Sequence, residues 1–265
     1  MTLSAKEKFK NVKCVLFDLD GTVYLGKEVF PFTKDVLAHL ESAGIQYCFL
    51  TNNSSLSSED YLKKFEKMKI PCSKEQIYTS GDAAVSYLRK NYDGKRIELL
   101  GTSSLKKQFA GSGIILDDNS PDLAVVAFDT DLNYKNLTSL CNSIVDGVPY
   151  IATHPDNFCP AEKGILPDVG AFLALIERAT GVAPSVICGK PYEIMAEGIC
   201  GRFSLNPSEF LMVGDRLATD IAFGTNNGMR TMLVLTGEGT LNASAVSDIR
   251  PDVIARDISV LKEIF

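Results

Sequence analysis

The stretch "CVLFDLDGTVYLG" runs from Cys14 to Gly26. An apolar run ends in two aspartates one residue apart, followed by glycine and threonine. Side chains two apart on an extended segment point to the same side. Asp18 and Asp20 therefore repel each other, and burial makes the repulsion worse. A divalent cation, a shared proton or solvent exposure could offset it. Mg²⁺ suits a pair of oxygen ligands that keep some water and a phosphate in the shell. A plain turn is the simpler reading, because Asp-Gly is a common turn dipeptide after a strand.

Other strands end in the same way. "FLTNNSS" closes an apolar run with Thr51, Asn52, Asn53, Ser54 and Ser55. Hydroxyls, amides and free backbone N–H groups there can hold a phosphate oxygen, or can simply form a polar loop and helix cap. "CGKPYEIM" sets Lys190 just after the apolar "SVIC". A lysine at a strand-to-helix junction can neutralise a carboxylate or phosphate. "LMVGDRLATD" ends a strand in Asp215 and adds Asp220 five residues later.

Between these points the chain alternates. Strand patterns at 12–18, 45–51 and "IYTS" interleave with helix patterns in "TKDVLAHLESAG", "SSEDYLKKFEKM" and "DAAVSYLRKNY". "RIELLG", "LAVVAF" and "PYIAT" repeat the theme, followed by strands at 209–215, 230–237 and 251–257. Strict alternation implies parallel sheet built from βαβ units. Near ten strands are generous for one open sheet, so two α/β sheets are expected. In such a sheet, ligands bind at the carboxyl edge of the strands. Asp18, Thr51 and Asp215 each end a strand and Lys190 closely follows one, so all can meet there.

The bulk properties narrow the class. The chain has 265 residues, 45% hydrophobic and 23% charged, as in a globular protein with a sizeable core. Net charge is −6 and pI about 5.1, which argue against nucleic acid or an anionic membrane as partner. Seven scattered cysteines without a CxxC pair, and two histidines, give no zinc pattern. With no apolar leader or spanning segment in sight, a cytoplasmic location is expected. P-loop, dinucleotide-fingerprint and GxSxG patterns are all incomplete.

The ordered set "DLDGT", "LTNN", "GKP" and "GDRLATD" resembles the four motifs of haloacid dehalogenase (HAD) superfamily phosphatases. With "ATHPD" it resembles the p-nitrophenylphosphatase-like, NagD-type branch. The resemblance implies an α/β fold: a Rossmann-like parallel-sheet core with an inserted smaller α/β cap. The expected bounds are core 1–81, cap 82–183 and core 184–265. It further implies Asp18 as nucleophile, Asp20 as acid and base, and Lys190 as catalytic support. Mg²⁺ would be held by Asp18, the Asp20 backbone carbonyl and Asp215, with Asp220 supporting. Thr51, Asn52, Asn53 and Lys190 would grip the phosphate.

His154 stands where asparagine is frequent in the branch, and that cap region faces the site in relatives. His154 and Asp156 are therefore expected as substrate contacts, with a structural loop histidine as the plainer reading of His154. The implied partner is a small phosphate ester of the p-nitrophenyl, sugar, nucleotide, phosphoglycolate or pyridoxal class. A homodimer through the cap is expected by the same resemblance. Two alternatives stand beside the phosphatase: a dehalogenase, which would not need Asp20, and a non-catalytic metabolite-binding or regulatory protein.

Overall fold

A six-stranded sheet carries the first and last thirds of the chain. The structure is a computed structural model that describes residues 2–160 and 163–265. Strand order across this sheet is Val253–Ala255, Arg230–Val234, Phe210–Gly214, Cys14–Phe17, Gln46–Thr51, Ile77–Thr79. Cys14–Phe17 pairs in parallel with Phe210–Gly214 on one side and Gln46–Thr51 on the other. The chain thus proceeds outward from Cys14–Phe17 in one direction and later returns to fill the other. That reversal makes the carboxyl end of Cys14–Phe17 the switch point of the sheet. All four of its side chains are buried, as an apolar run covered on both faces requires.

The flanking helices follow their sequence signals. Thr33–Ser42 buries Val36, Leu37 and Leu40 at helical spacing. It closes just before Gly44, whose φ of +73° supplies the left-handed residue that ends a helix.

A second, five-stranded sheet has the order Val186–Ile187, Tyr150–Ala152, Leu123–Val126, Arg96–Leu100, Ile115–Leu116, with every pairing parallel. Helices Tyr134–Val145 and Val169–Thr180 pack on it through Leu140, Ile144, Val169, Phe172 and Ile176. A separate antiparallel hairpin joins Phe158–Pro160 to Ile165–Pro167.

The chain divides into two compact units. One holds the residues up to Thr51, Leu62–Tyr78 and Lys190–Phe265; the other holds Asn52–Tyr61 and Thr79–Gly189. The division departs from the expected bounds of 82 and 183, for physical reasons. Thr79 and Asp82 form one reciprocal cap on helix Ser80–Asn91, so no boundary falls between them. Strand Val186–Ile187 pairs with Tyr150–Ala152, which carries the second unit beyond 183. Two further strands, Ile115–Leu116 and Val186–Ile187, join the three read from "RIELLG", "LAVVAF" and "PYIAT". No helix among the described residues is long and apolar enough to cross a membrane.

Candidate active site

Asp18 follows the central strand directly, and its backbone N–H donates to Val213 O at 2.9 Å, prolonging the ladder by one residue. The chain then turns sharply: Val23 N–H donates to Leu19 O at 2.9 Å and Gly21 N–H to Tyr24 O at 2.7 Å. Gly21 has a φ of +83°, and a Cβ there would sit 2.5 Å from Asp215 Oδ2. Only glycine meets both demands. Asp20 lies on the outer side of this turn, exposed, with Oδ1 accepting from Gly26 N–H at 3.3 Å.

Lys190 is 2% exposed. Its ammonium donates to Asp18 Oδ1 and Asp220 Oδ1, each at 2.6 Å, and reaches Leu50 O at 3.3 Å. A buried ammonium costs heavily unless paired. Here burial opposes the charge, but Asp18 and Asp220 outweigh it and hold Lys190 protonated above its ordinary range. The contact with Leu50 O sets the ammonium beside the end of strand Gln46–Thr51, whose last residue, Thr51, is itself buried.

Asp215 ends strand Phe210–Gly214 and is 2% exposed. Its Oδ2 accepts from Glu238 N–H at 2.7 Å, while its Oδ1 has no partner. Asp220 is carried back toward the strand end by a wide turn, Leu217–Ile221, in which Ile221 N–H donates to Arg216 O at 3.2 Å. Such a turn re-aims a side chain that a regular helix would place elsewhere. Asp220 Oδ2 accepts from Arg216 N–H at 3.1 Å, and a Cβ on Gly214 would lie 2.3 Å from its Cγ.

Carboxylate oxygens of Asp18, Asp215 and Asp220 all lie within 4.8 Å of one another. When all three are ionised, three carboxylates against the one ammonium of Lys190 leave two negative charges. Arg216 does not cancel them, because its own partner is Glu238 at 2.5 Å. Burial, then Asp220, pushes Asp18 up to about 8, against the pull of Lys190. Burial, then Asp220, pushes Asp215 up to about 6, opposed by the Glu238 N–H. The unsatisfied Asp215 Oδ1, the surplus charge and the all-oxygen donor set fit a hard divalent cation. Asp20 adds no side-chain oxygen to the trio.

Sequence reasoning missed the residues that hold the acids. Glu238 and Arg216 act through backbone N–H groups, and Thr236 Oγ1 donates to Gly21 O at 2.5 Å. The signal was present in "LTGEGT", a glycine-rich run that closes strand Arg230–Val234 at the same sheet edge.

The remaining expected residues belong to the second unit. Asn52 is buried and donates through Nδ2 to Asp156 Oδ2 at 3.2 Å. Asn53 closes a local turn, its Oδ1 accepting from Ser55 N–H and Oγ at 2.9 and 2.7 Å. His154 is fully buried: Nε2 pairs with Asp168 Oδ1 at 2.9 Å and Nδ1 with Thr153 Oγ1 at 3.1 Å. A ring with no exposed surface and both nitrogens engaged has no atom left for substrate. His154 instead ties the two ends of the hairpin segment, since Asp168 follows strand Ile165–Pro167.

Family models agree with this arrangement. A haloacid dehalogenase-like hydrolase model matches residues 15–115, and a HAD-hydrolase-like model matches residues 187–261. The acid sugar phosphatase of Staphylococcus aureus is 33% identical over 251 residues, spanning 94% of this chain and 96% of the relative. The chain belongs to the haloacid dehalogenase-like hydrolases. Within them it is a phosphatase of the NagD type. The 4-nitrophenylphosphatase of Thermotoga maritima superposes with a TM-score of 0.94 at 36% identity, covering 97% of this chain and 99% of that one. NagD from E. coli K-12 superposes at 0.87 with 27% identity, covering 94% and 97%. As a NagD-type phosphatase the protein is a phosphomonoester hydrolase with a Rossmann-like core and a cap. HAD phosphatases generally use a divalent metal, and the acid trio at the switch point suits one.

Proposed function

We propose that the protein hydrolyses small phosphomonoesters with Mg²⁺, through an aspartyl-phosphate on Asp18. The observation that carries this reading is the two-charge surplus of Asp18, Asp215 and Asp220 over Lys190, with Asp215 Oδ1 unpaired. These residues would hold the ion, which when bound supplies positive charge to the acids and the phosphoryl oxygens.

Lys190 engages Asp18 Oδ1 and orients the carboxylate, so that Oδ2 attacks phosphorus. The bond from phosphorus to the ester oxygen breaks, and protonated Asp20 gives its proton to that leaving oxygen. Asp20, now a carboxylate, takes a proton from water, and the hydroxide attacks phosphorus. The bond from phosphorus to Asp18 oxygen breaks, releasing inorganic phosphate and restoring both acids. Asp20 suits this work because it is exposed on the turn, its carboxylate accepting from Gly26 N–H at 3.3 Å. Lys190 and Thr51, beside the end of one strand, are the phosphate grip.

The activities named for the relatives, acid sugar phosphatase and 4-nitrophenylphosphatase, support sugar phosphates and aryl phosphates as substrates. Seven scattered cysteines with no CxxC pair support a reducing, cytoplasmic setting. Turnover of p-nitrophenyl phosphate that stops on chelation and returns with Mg²⁺ is the expected result. Activity that survives thorough chelation would overturn the metal assignment.

A further inference from the structure

A charged residue interrupts the strand Arg96–Leu100 of the second unit: Glu98 is 4% exposed between buried Ile97 and Leu99. Glu98 and Leu100, two apart, share one face of the sheet. Leu100 packs with Leu140 and Ile144 of helix Tyr134–Val145. Glu98 meets the first turns of that helix, where the apolar stripe gives way to Lys135, Asn136 and Ser139. The result is a cavity of about 320 Å³ whose floor is Glu98 and whose walls include Lys106, Asp118, Lys135 and Ser139.

A buried carboxylate must be compensated. Ser143 and Ser139 on the helix favour its charged form, yet Oε2 has no hydrogen-bond partner. Burial pushes the carboxyl up, Asp118 adds to the rise and Lys106 opposes it. Among the described residues neither Lys106, Lys135 nor Asp118 makes an ion pair. Two acids and two bases face one cavity, with no net charge and no mutual pairing. A bare anion would meet Glu98 and Asp118; a bare cation would meet both lysines. A small molecule carrying both signs satisfies all four.

We propose that this cavity binds a small zwitterion of the α-amino acid class, its ammonium donating to Glu98 and its carboxylate held by Lys106 and Lys135. The site is separate from the acid trio and does not depend on the phosphatase mechanism.

The test uses the full-length protein labelled with ¹⁵N. Each standard amino acid is titrated, with acetate and methylammonium as the two halves of the ligand. At least one amino acid should bind with a Kd of about 1 mM or tighter and shift the amides of Glu98, Lys106, Asn136 and Ser139. Acetate and methylammonium should bind at least about tenfold more weakly. Glu98→Gln, a near-isosteric change, should weaken binding about tenfold or more, as should the surface change Lys106→Ala. If no amino acid binds at 10-fold that concentration, or if acetate binds as well as any amino acid, the proposal fails. Unchanged binding in folded Lys106→Ala would overturn it too, even if Glu98→Gln does not fold.

Discussion

Lys190 Nζ stands 2.6 Å from Asp220 Oδ1, and both side chains are almost wholly buried. The same ammonium stands 2.6 Å from Asp18. One cation thus keeps two acids at the switch point of the sheet, and neither has water enough to be stable alone. Lys190→Met should leave both acids uncompensated. Urea unfolding of the metal-free protein should show a loss of about 3–5 kcal/mol, the usual result of breaking a buried ion pair from one side. Turnover of p-nitrophenyl phosphate should fall at least about a hundredfold. A variant as stable as the parent would show that the acids do not need this ammonium.

The raised acids make metal binding depend on pH. A bound cation requires Asp18 and Asp215 ionised, whereas without it they titrate near 8 and 6. Raised folded-state values mean that these groups stabilise the metal-free protein below their ordinary value of 3.8. That contribution is lost as pH rises toward about 8. Mg²⁺ binding has the opposite slope, because protons compete with it. The increase in Tm produced by a fixed Mg²⁺ concentration should therefore grow steadily from pH 5 to pH 8. Thermal melts with and without Mg²⁺ across that window check this. A constant increment would mean that the acids are ionised throughout and that their burial is not felt.

Much of the site was legible because it is built from strand ends. Asp18, Thr51 and Asp215 each terminate an apolar run, and parallel topology gathers such ends on one edge. Lys190 was legible from the apolar "SVIC" before it, although the strand there, Val186–Ile187, is only two residues long. Ile115–Leu116 was hidden because two residues carry no periodicity. The hairpin Phe158–Pro160 and Ile165–Pro167 carries a proline in each strand, which argues against strand in any local reading. His154 was ambiguous because its partner, Asp168, lies across that hairpin. Local sequence cannot show that a histidine will be buried against a carboxylate fourteen positions on. The boundary near residue 79 was blurred by a cap whose two members, Thr79 and Asp82, fall on either side of the apparent break.

Asp20 and Asp18 should respond differently to the same substitution. Asp20 is exposed and gives no side-chain oxygen to the acid trio. Asp20→Asn should thus bind Mg²⁺ nearly as the parent does, by calorimetry. Its turnover should fall by about 10²–10⁴-fold, the range for loss of a general acid or base. The loss should be greater for an alkyl phosphate than for p-nitrophenyl phosphate, whose leaving group needs little protonation. Equal losses for both esters would remove the proton-transfer role.

The central claim is that Asp18 carries the phosphoryl group between the two half-reactions. Rapid mixing with saturating p-nitrophenyl phosphate, acid quench and borohydride reduction converts an aspartyl-phosphate to homoserine, which peptide mass spectrometry locates. The account predicts homoserine at position 18 within the first turnover, and none in Asp18→Asn. Product release with position 18 unmodified throughout, or modification at another carboxylate, would contradict it.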